Sequence, residues 1–372
     1  MTDDPFASRV KRVTARMNEL GVESLLLSVG PDLPWLLGYE AMPLERITMA
    51  VLRRDGKCTL VVPRLEASRV TPREHFNIIG WDETDNPIAH IALHVGDAET
   101  IAFGDRTWAR FLIELQDAIP NRRWVRSNDV TGPLRAVKDP HEIEMLARAG
   151  SIVDEIAVEL QSGDIPLVGR TEAEVSADLS RRIVERGHAR VNFAIVAAGP
   201  NAASPHHEPG SRVIEANEVV LCDFGGTLLD EWGVGYCSDI TRCVWTGPIP
   251  ERAAEVYHLL QRSQAAGRSA GVVGATCESV DAACRDLIVD GGYGEHFIHR
   301  TGHGIGVEEH EDPYMVSGNV SVLEAGNAYS VEPGIYLPGR FGFRLEDIMV
   351  ATESGPRALN NAPRHLAEIC ER

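Results

Sequence analysis

Along the first 130 residues the pattern of apolar and polar positions switches repeatedly between helical and strand spacing. It predicts a helix over 9–20 and a buried strand over 23–29 (ESLLLSV). Strands are expected over 47–52 and 58–62, on either side of the Arg53-Arg54-Asp55-Gly56-Lys57 turn, and an amphipathic helix over 108–119, closed by Pro120. Strands interleaved with helices indicate an α/β layer, and no constellation of ionisable residues gathers in it. Polar and turn residues over 128–140 suggest a boundary, so two domains are expected, 1–130 and 131–372. Beyond the boundary the pattern predicts helices over 141–161, 171–185, 250–270 and 276–290. Pro140 followed by Glu142 and Glu144 suits a helix N-terminus, and Gly291-Gly292 suits an end. Strand-like runs at 191–198, 219–224, 235–245, 328–331 and 344–351 complete a second domain, in which helices flank a mostly antiparallel sheet. The expected fold class is α+β.

Composition narrows the picture mainly by exclusion. A chain of 372 residues with 44% hydrophobic content can bury a self-supporting core. No apolar run approaches the ~18 residues of a membrane span, and the start Met1-Thr2-Asp3-Asp4-Pro5 lacks the basic and apolar regions of an export signal, so a cytoplasmic protein without a membrane partner is expected. Seven cysteines with no C-x-x-C pair indicate neither a disulfide framework nor a thiolate zinc site, and most are expected to be small core residues. Residues 1–130 hold 19 acids and 16 bases, which leaves 36 acids and 20 bases in 131–372. That excess of negative charge, without a basic stripe, argues against nucleic acid as a partner. Only Lys11, Lys57 and Lys138 are lysines, which excludes a Gly-Lys-Ser/Thr phosphate loop and disfavours Schiff-base chemistry.

The unusual feature is carboxylates set in apolar strands. Asp223 ends the run Val219-Val220-Leu221-Cys222, where an unpaired buried charge is costly. Asp239 shares a strand face with Cys237, Thr241, Cys243 and Trp245, because side chains alternate with period two. Glu332, before Pro333-Gly334, and Glu346, after Arg344-Leu345, stand at or beside strand ends. Each has a local alternative: a turn residue for Asp223 and Glu332, an ion pair with Arg242 for Asp239, a pair with Arg344 for Glu346. Jointly they form a candidate cluster. The segment 296–310 (HFIHRTGHGIGVEEH) adds imidazoles, and its glycines favour an extended chain with His299, Thr301, His303 and Ile305 on one face. His206, in Pro205-His206-His207, is a further candidate. Gly267-Arg268-Ser269-Ala270-Gly271 matches a serine-hydrolase pattern but closes a predicted helix, where no nucleophile elbow can form, and Gly302-His303-Gly304-Ile305-Gly306 lacks the spacing of a dinucleotide fingerprint.

Together these residues resemble the creatinase/prolidase/methionine-aminopeptidase superfamily of pita-bread metallopeptidases, most closely its Xaa-Pro dipeptidase and aminopeptidase P branch. The resemblance spans almost the whole chain: a creatinase-like N-terminal domain, the Arg135-Ala136-Val137-Lys138-Asp139-Pro140 linker, and a catalytic domain. It rests on Asp223-Phe224-Gly225, Tyr236-Cys237-Ser238-Asp239, the His299–Glu311 segment, Glu332-Pro333-Gly334 and Arg344-Leu345-Glu346-Asp347. By this resemblance Asp223, Asp239, His303, Glu332 and Glu346 would bind two divalent ions, manganese or cobalt with zinc tolerated, and four carboxylates balance two dications. The resemblance also implies hydrolysis of an Xaa-Pro bond, most readily in a dipeptide, by a hydroxide held between the ions. Glu332 would accept a proton, His206 and His310 would donate hydrogen bonds to substrate and intermediate, and Arg344 would orient a ligand. A homodimer acting on small peptides is implied as well. An aminopeptidase taking longer peptides, and a non-catalytic binding protein on the same fold, remain as alternatives; a methionine-aminopeptidase or metal-free creatinase role fits less well. Two departures stand out. Asp223 and Asp239 are sixteen apart, longer than the superfamily usually shows, which predicts an extended hairpin tip and a bulge that preserves pairing, and Glu309 stands where an aliphatic residue is usual.

Overall fold

The computed structural model describes residues 4–370 and divides the chain into two compact units, one running to Arg135 and including Asp230–Gly235, the other made of Ala136–Leu229 and the chain from Tyr236 onward. The first break therefore falls five residues after the expected 130/131 boundary. The reason is local: 128–140 was expected as turn and linker, but Asn128–Ala136 is helical.

In the first unit six strands form one mixed sheet: β1 (Ser24–Leu27), β2 (Met49–Arg53), β3 (Cys58–Pro63), β4 (Asn77–Trp81), β5 (Thr100–Phe103) and β6 (Arg123–Arg126), in the order β4-β3-β2-β1-β5-β6. β2 runs antiparallel to both β1 and β3, whereas β1–β5, β3–β4 and β5–β6 are parallel. The helices Pro5–Leu20 and Ala109–Ala118 stand where periodicity places them, and Gly21, at φ +67°, ends the first. A helix over Pro87–Val95 connects β4 to β5, its N-terminus capped by Asn86. Its Ile91 and Val95 join Leu26, Val51, Ile101 and Leu115 in one buried cluster.

The second unit carries two sheets and a hairpin. β7 (Arg190–Ala198), β8 (Val219–Leu229), β9 (Gly235–Cys237), β10 (Ile240–Trp245) and β18 (Ala367–Glu368) form one sheet in the order β18-β10-β8-β7, with β9 paired to β8. β11 (Gly302–Gly304), β12 (Glu311–Met315), β13 (Ala328–Val331), β16 (Asp347–Val350) and β17 (Arg357–Ala358) form the other, in the order β12-β11-β13-β16-β17, and β14 (Gly334–Leu337) pairs with β15 (Phe341–Arg344). β10 and β18 run parallel, whereas β8 with β7 and β10, β11 with β12 and β13, β16 with β13 and β17, and β14 with β15 are antiparallel.

Alternation along β8 and β10 sorts side chains into two cores. Val220, Cys222, Phe224, Ile240 and Val244 pack on the helices Pro140–Ser162 and Glu172–Glu185 through Val153, Ile156, Val175 and Leu179. Val219, Leu221, Cys243 and Trp245 face the opposite way, into a cluster with Val256 and Leu260, Val280 and Cys284, and Tyr329, Val331 and Met349 of the other sheet. Each of the two β8-packing helices opens with a reciprocal capping box, Asp139 with Glu142 and Thr171 with Glu174, and so satisfies donors that a helix start leaves free. Six cysteines are buried and Cys370 is exposed, as free thiols. Ser269 lies in the helix Glu251–Ala270 and donates to Ala265 O, so the serine-hydrolase pattern has no elbow.

The expected bulge between Asp223 and Asp239 is not on the arms of the hairpin. β8 and β10 keep one register from Trp245↔Val219 to Ile240↔Phe224, and Ser238 N still reaches Gly226 O in that register. The hairpin stays in register to its tip, where Gly233 N bonds Asp230 O, Asp230 N bonds Val234 O, and Gly233 takes φ +83°. Pairing slips instead between β7 and β8, at Val191/Phe193.

A candidate metal centre between two sheets

The face of β8 that starts apolar at Val219 and Leu221 continues to Asp223, and the register sets Asp223 opposite Thr241 on β10. Asp239 lies two residues before Thr241, on the same face, in the break between β9 and β10. Pairing with β8 continues across the break through Ser238 N to Gly226 O, while on the other side Cys237 N donates to Gly306 O. These carboxylates come from one sheet; three more groups come from the other. His303 is the middle residue of β11, Glu332 follows β13, and Glu346 occupies the link between β15 and β16. The strand expected over 344–351 is thus two strands. β15 pairs with β14 and β16 with β13, and at the crossover Leu345 N reaches Pro333 O while Glu346 N reaches Thr241 O at 3.4 Å. Close backbone approach explains the glycines around His303: a Cβ on Gly302 would sit 1.9 Å from Ser330 O, and one on Gly304 2.3 Å from Asp312 O.

Asp239, His303 and Glu346 present ligand atoms that all lie within 4.8 Å of one another. His303 Nδ1 faces Gly304 O at 3.0 Å and must be the protonated nitrogen, which leaves the Nε2 lone pair toward the carboxylates, 3.2 Å from Glu332 Oε1 and 3.7 Å from Asp239 Oδ2. Asp223 Oδ2 is held by Arg344 Nη2 at 2.5 Å, Glu346 Oε2 accepts from Thr241 Oγ1 at 2.7 Å, and Glu332 Oε1 accepts from Ser330 Oγ at 3.0 Å. The remaining oxygens, Asp223 Oδ1, Asp239 Oδ1 and Glu346 Oε1, are buried with no hydrogen-bond partner. Buried carboxylate oxygens left unmatched are costly unless a cation meets them, so this donor set, oxygen-rich with one imidazole, fits divalent ions.

Charge balance supports that fit. Burial first, then repulsion from Glu346, Asp223 and Glu332, pushes the Asp239 carboxyl well above its usual range. Burial and the neighbouring carboxylates Glu332 and Asp223 do the same to Glu346. Burial would also raise Glu332, but in the metal-free state a proton carried on His303 Nε2, through its hydrogen bond and charge, and then His299 and Arg344, hold it low and ionised; loss of that proton is what frees the Nε2 lone pair for a metal ion. Protein cations alone do not neutralise four carboxylates, whereas dications would.

The other expected residues line the same cleft of about 790 Å³, together with Phe193, Ile195 and Ile298. His310 packs at a tilt against His303, 3.9 Å between ring centroids; burial, then His303 and Arg300, brings it down to about 4, so it is neutral. Arg300 Nη2 faces His310 Nδ1 at 3.4 Å, which leaves Nε2–H to donate. His206 lies on the wall formed with Ser204 and Pro205, and Glu309 is on the lining too. Arg344 ties the parts together: besides Asp223 it donates to Thr241 Oγ1 at 3.1 Å, Tyr336 Oη at 2.9 Å and Pro205 O at 3.2 Å. His299 is outside β11 rather than in line with His303, and its Nε2 meets Tyr336 Oη at 3.0 Å. Neither local pairing holds: Arg242 bonds Asp347 rather than Asp239, and Arg344 bonds Asp223 rather than Glu346. Sequence reasoning gave no role to Thr241 or Tyr336. For Thr241 the signal was its shared face with Asp239; Tyr336 carried none.

Comparison with known proteins matches residues 144–353 to metallopeptidase family M24 and residues 9–137 to the creatinase/prolidase N-terminal domain. The chain is 39% identical over 369 residues to the probable dipeptidase PepE of Mycobacterium tuberculosis, covering 98% of this chain and 96% of that one. It is 35% identical over 347 residues to the Xaa-Pro dipeptidase of Lactobacillus helveticus, with 90% and 92% covered. Among solved structures, the prolidase of Thermococcus sibiricus superposes with a TM-score of 0.91 at 33% identity, over 99% of this chain and 100% of the other.

Proposed function

The chain belongs to metallopeptidase family M24, with a creatinase/prolidase N-terminal domain, and from that premise we propose that it hydrolyses Xaa-Pro bonds, most readily in dipeptides, at a site holding two divalent ions on Asp223, Asp239, His303, Glu332 and Glu346. One observation carries the reading: carboxylates from two sheets converge on one imidazole with three oxygens unmatched, facing a cleft large enough for a small peptide. When bound, such ions polarise a carbonyl and lower the pKa of a water molecule. The residues of the chain do the rest. Glu332, ionised and beside the cleft, accepts the proton of the attacking water. His310, neutral with Nε2–H free to donate, and His206 on the facing wall hydrogen-bond the oxygen that gains charge. Arg344 fixes the Asp223 carboxylate and, through Pro205 O, the segment that carries His206. Proline lacks an amide hydrogen and restricts the residue before it, so its peptide bonds suit a dedicated site of this kind.

The protein is a metallopeptidase of this family, and no helix among the described residues is long and apolar enough to cross a membrane. Manganese or cobalt as the metal, a homodimer and a cytoplasmic location complete the proposed reading. Its test is release of the residue before proline from a panel of Xaa-Pro dipeptides and matched Xaa-Pro-Yaa tripeptides in manganese buffer, with free proline as the second product from the dipeptides and Pro-Yaa from the tripeptides. Turnover of the dipeptides is expected; turnover of the tripeptides alone favours the aminopeptidase alternative. Absence of any cleavage, with two ions bound, leaves a binding protein.

A further inference from the structure

Thr241 and Glu346 meet on the cleft side of their strands, and their neighbours Arg242 and Asp347 meet on the back. Alternation forces this pairing, since adjacent residues of extended chain point to opposite faces. The back pair is fully buried. All five N–H donors of Arg242 are used: Nη2 on Asp347 Oδ1 at 2.8 Å and Ala362 O at 2.9 Å, Nη1 on Glu346 O at 2.5 Å and Thr241 O at 2.9 Å, Nε on Pro363 O at 2.8 Å. Asp347 Oδ2 in turn accepts from Gln264 Nε2 at 2.8 Å and Arg364 Nε at 2.5 Å.

The position of this network matters because β10 and β16 belong to different sheets. Asp223 and Asp239 ride on the sheet of β8 and β10; His303, Glu332 and Glu346 ride on the sheet of β11, β13 and β16. The backbone contact between the two at this point is long, Glu346 N to Thr241 O at 3.4 Å. A rigid guanidinium that grips both carbonyls, Thr241 O and Glu346 O, fixes the spacing instead.

We propose that the Arg242–Asp347 pair is a positioning element that holds the two halves of the metal centre at coordinating distance. The inference rests on the metal-binding reading above. It assigns Arg242 and Asp347 no contact with substrate; they act through Thr241 and Glu346. Replacing a buried ion pair by apolar side chains is often tolerated by a fold, so stability and positioning can be separated.

The test titrates manganese into metal-free full-length protein by calorimetry, with the melting temperature of each metal-free variant and kcat and KM recorded alongside. In the double variant Arg242→Met/Asp347→Leu, manganese binding is expected to weaken ~10-fold or more, as for lost outer supports of metal ligands. Its kcat should fall while KM stays near the wild-type value. Arg242→Lys keeps the charge but offers at most three donors, and should recover part of the affinity. Should the double variant not fold, Asp347→Asn, which keeps shape and one acceptor, is read in the same titration and should also bind manganese more weakly. A folded variant with wild-type manganese affinity overturns the inference and leaves the site intact. A wild-type protein that takes up no manganese overturns both.

Discussion

Removing one carboxylate from the centre should stabilise the metal-free protein. Asp239 and Glu346 present oxygens within 4.8 Å of each other in buried surroundings. Two full charges at that distance repel by about 3.5 kcal/mol at an effective dielectric of 20. Burial first, and then repulsion within the carboxylate cluster, raise both pKa values, and protonation relieves part of the cost, so about 1–2 kcal/mol should be recovered by Glu346→Gln, whose carbonyl can still accept from Thr241. That corresponds to a rise in melting temperature of about 2–8 °C for a unit of this size. The pH dependence has a definite sign. An acid whose pKa is higher in the folded than in the unfolded chain costs nothing below the unfolded pKa, and its penalty grows as pH rises toward the folded value. The gap between variant and wild type should therefore be small near pH 4.5 and widest near pH 8. The assay is differential scanning calorimetry with chelator, repeated with manganese. With the metal present the order should reverse, because the wild type gains binding energy that the variant cannot. A metal-free variant that melts below the wild type at pH 8, or a gap that does not change with pH, would refute the claim that unbalanced charge resides at this site.

Other changes test separate parts of the site. His303→Ala should abolish proline release and lower the manganese stoichiometry measured by elemental analysis, since it removes an imidazole whose Nε2 lies 3.2 Å from Glu332 Oε1 and 3.7 Å from Asp239 Oδ2. Thr241→Val should weaken manganese binding by about 10-fold, because it leaves Glu346 Oε2 without its donor, a loss calorimetric titration will show. Arg344→Met should lower kcat by about 10–100-fold in a dipeptide assay by freeing the Asp223 carboxylate and the Pro205 segment together. Glu172→Gln should cost about 1–3 kcal/mol in urea unfolding, as the buried carboxylate of Glu172 accepts from Ala198 N, Asn201 and His207 and anchors the loop that ends in His206-His207.

The residues of the site were legible for a physical reason: a charge within an apolar strand requires a partner, and Asp223 and Asp239 advertise that need in the run of amino acids itself. Helices were legible where caps are written out, as at Asp139-Pro140 and Thr171, because an N-cap acts over four residues. Strands that switch partners were not. The runs 235–245 and 344–351 each read as one strand, yet each breaks at a residue of the site: 344–351 passes from β14 to β13 at Glu346, whereas 235–245 stays paired with β8 on both sides of Asp239 and changes only its outer neighbour, from Gly306 to β18. The bulge was misplaced for a related reason: the long hairpin between Asp223 and Asp239 keeps one register to its tip, and nothing local in the sequence shows where the pairing continues. Partners such as Asp347 for Arg242 and Asp223 for Arg344, more than a hundred residues apart, follow from sheet packing, which single-sequence periodicity does not encode.

The most direct measurement is anomalous scattering at the manganese edge from a crystal soaked in manganese. Two peaks are expected, both within the cluster of Asp223, Asp239, His303, Glu332 and Glu346. No peak in the cleft, or peaks confined to other parts of the molecule, would contradict the account.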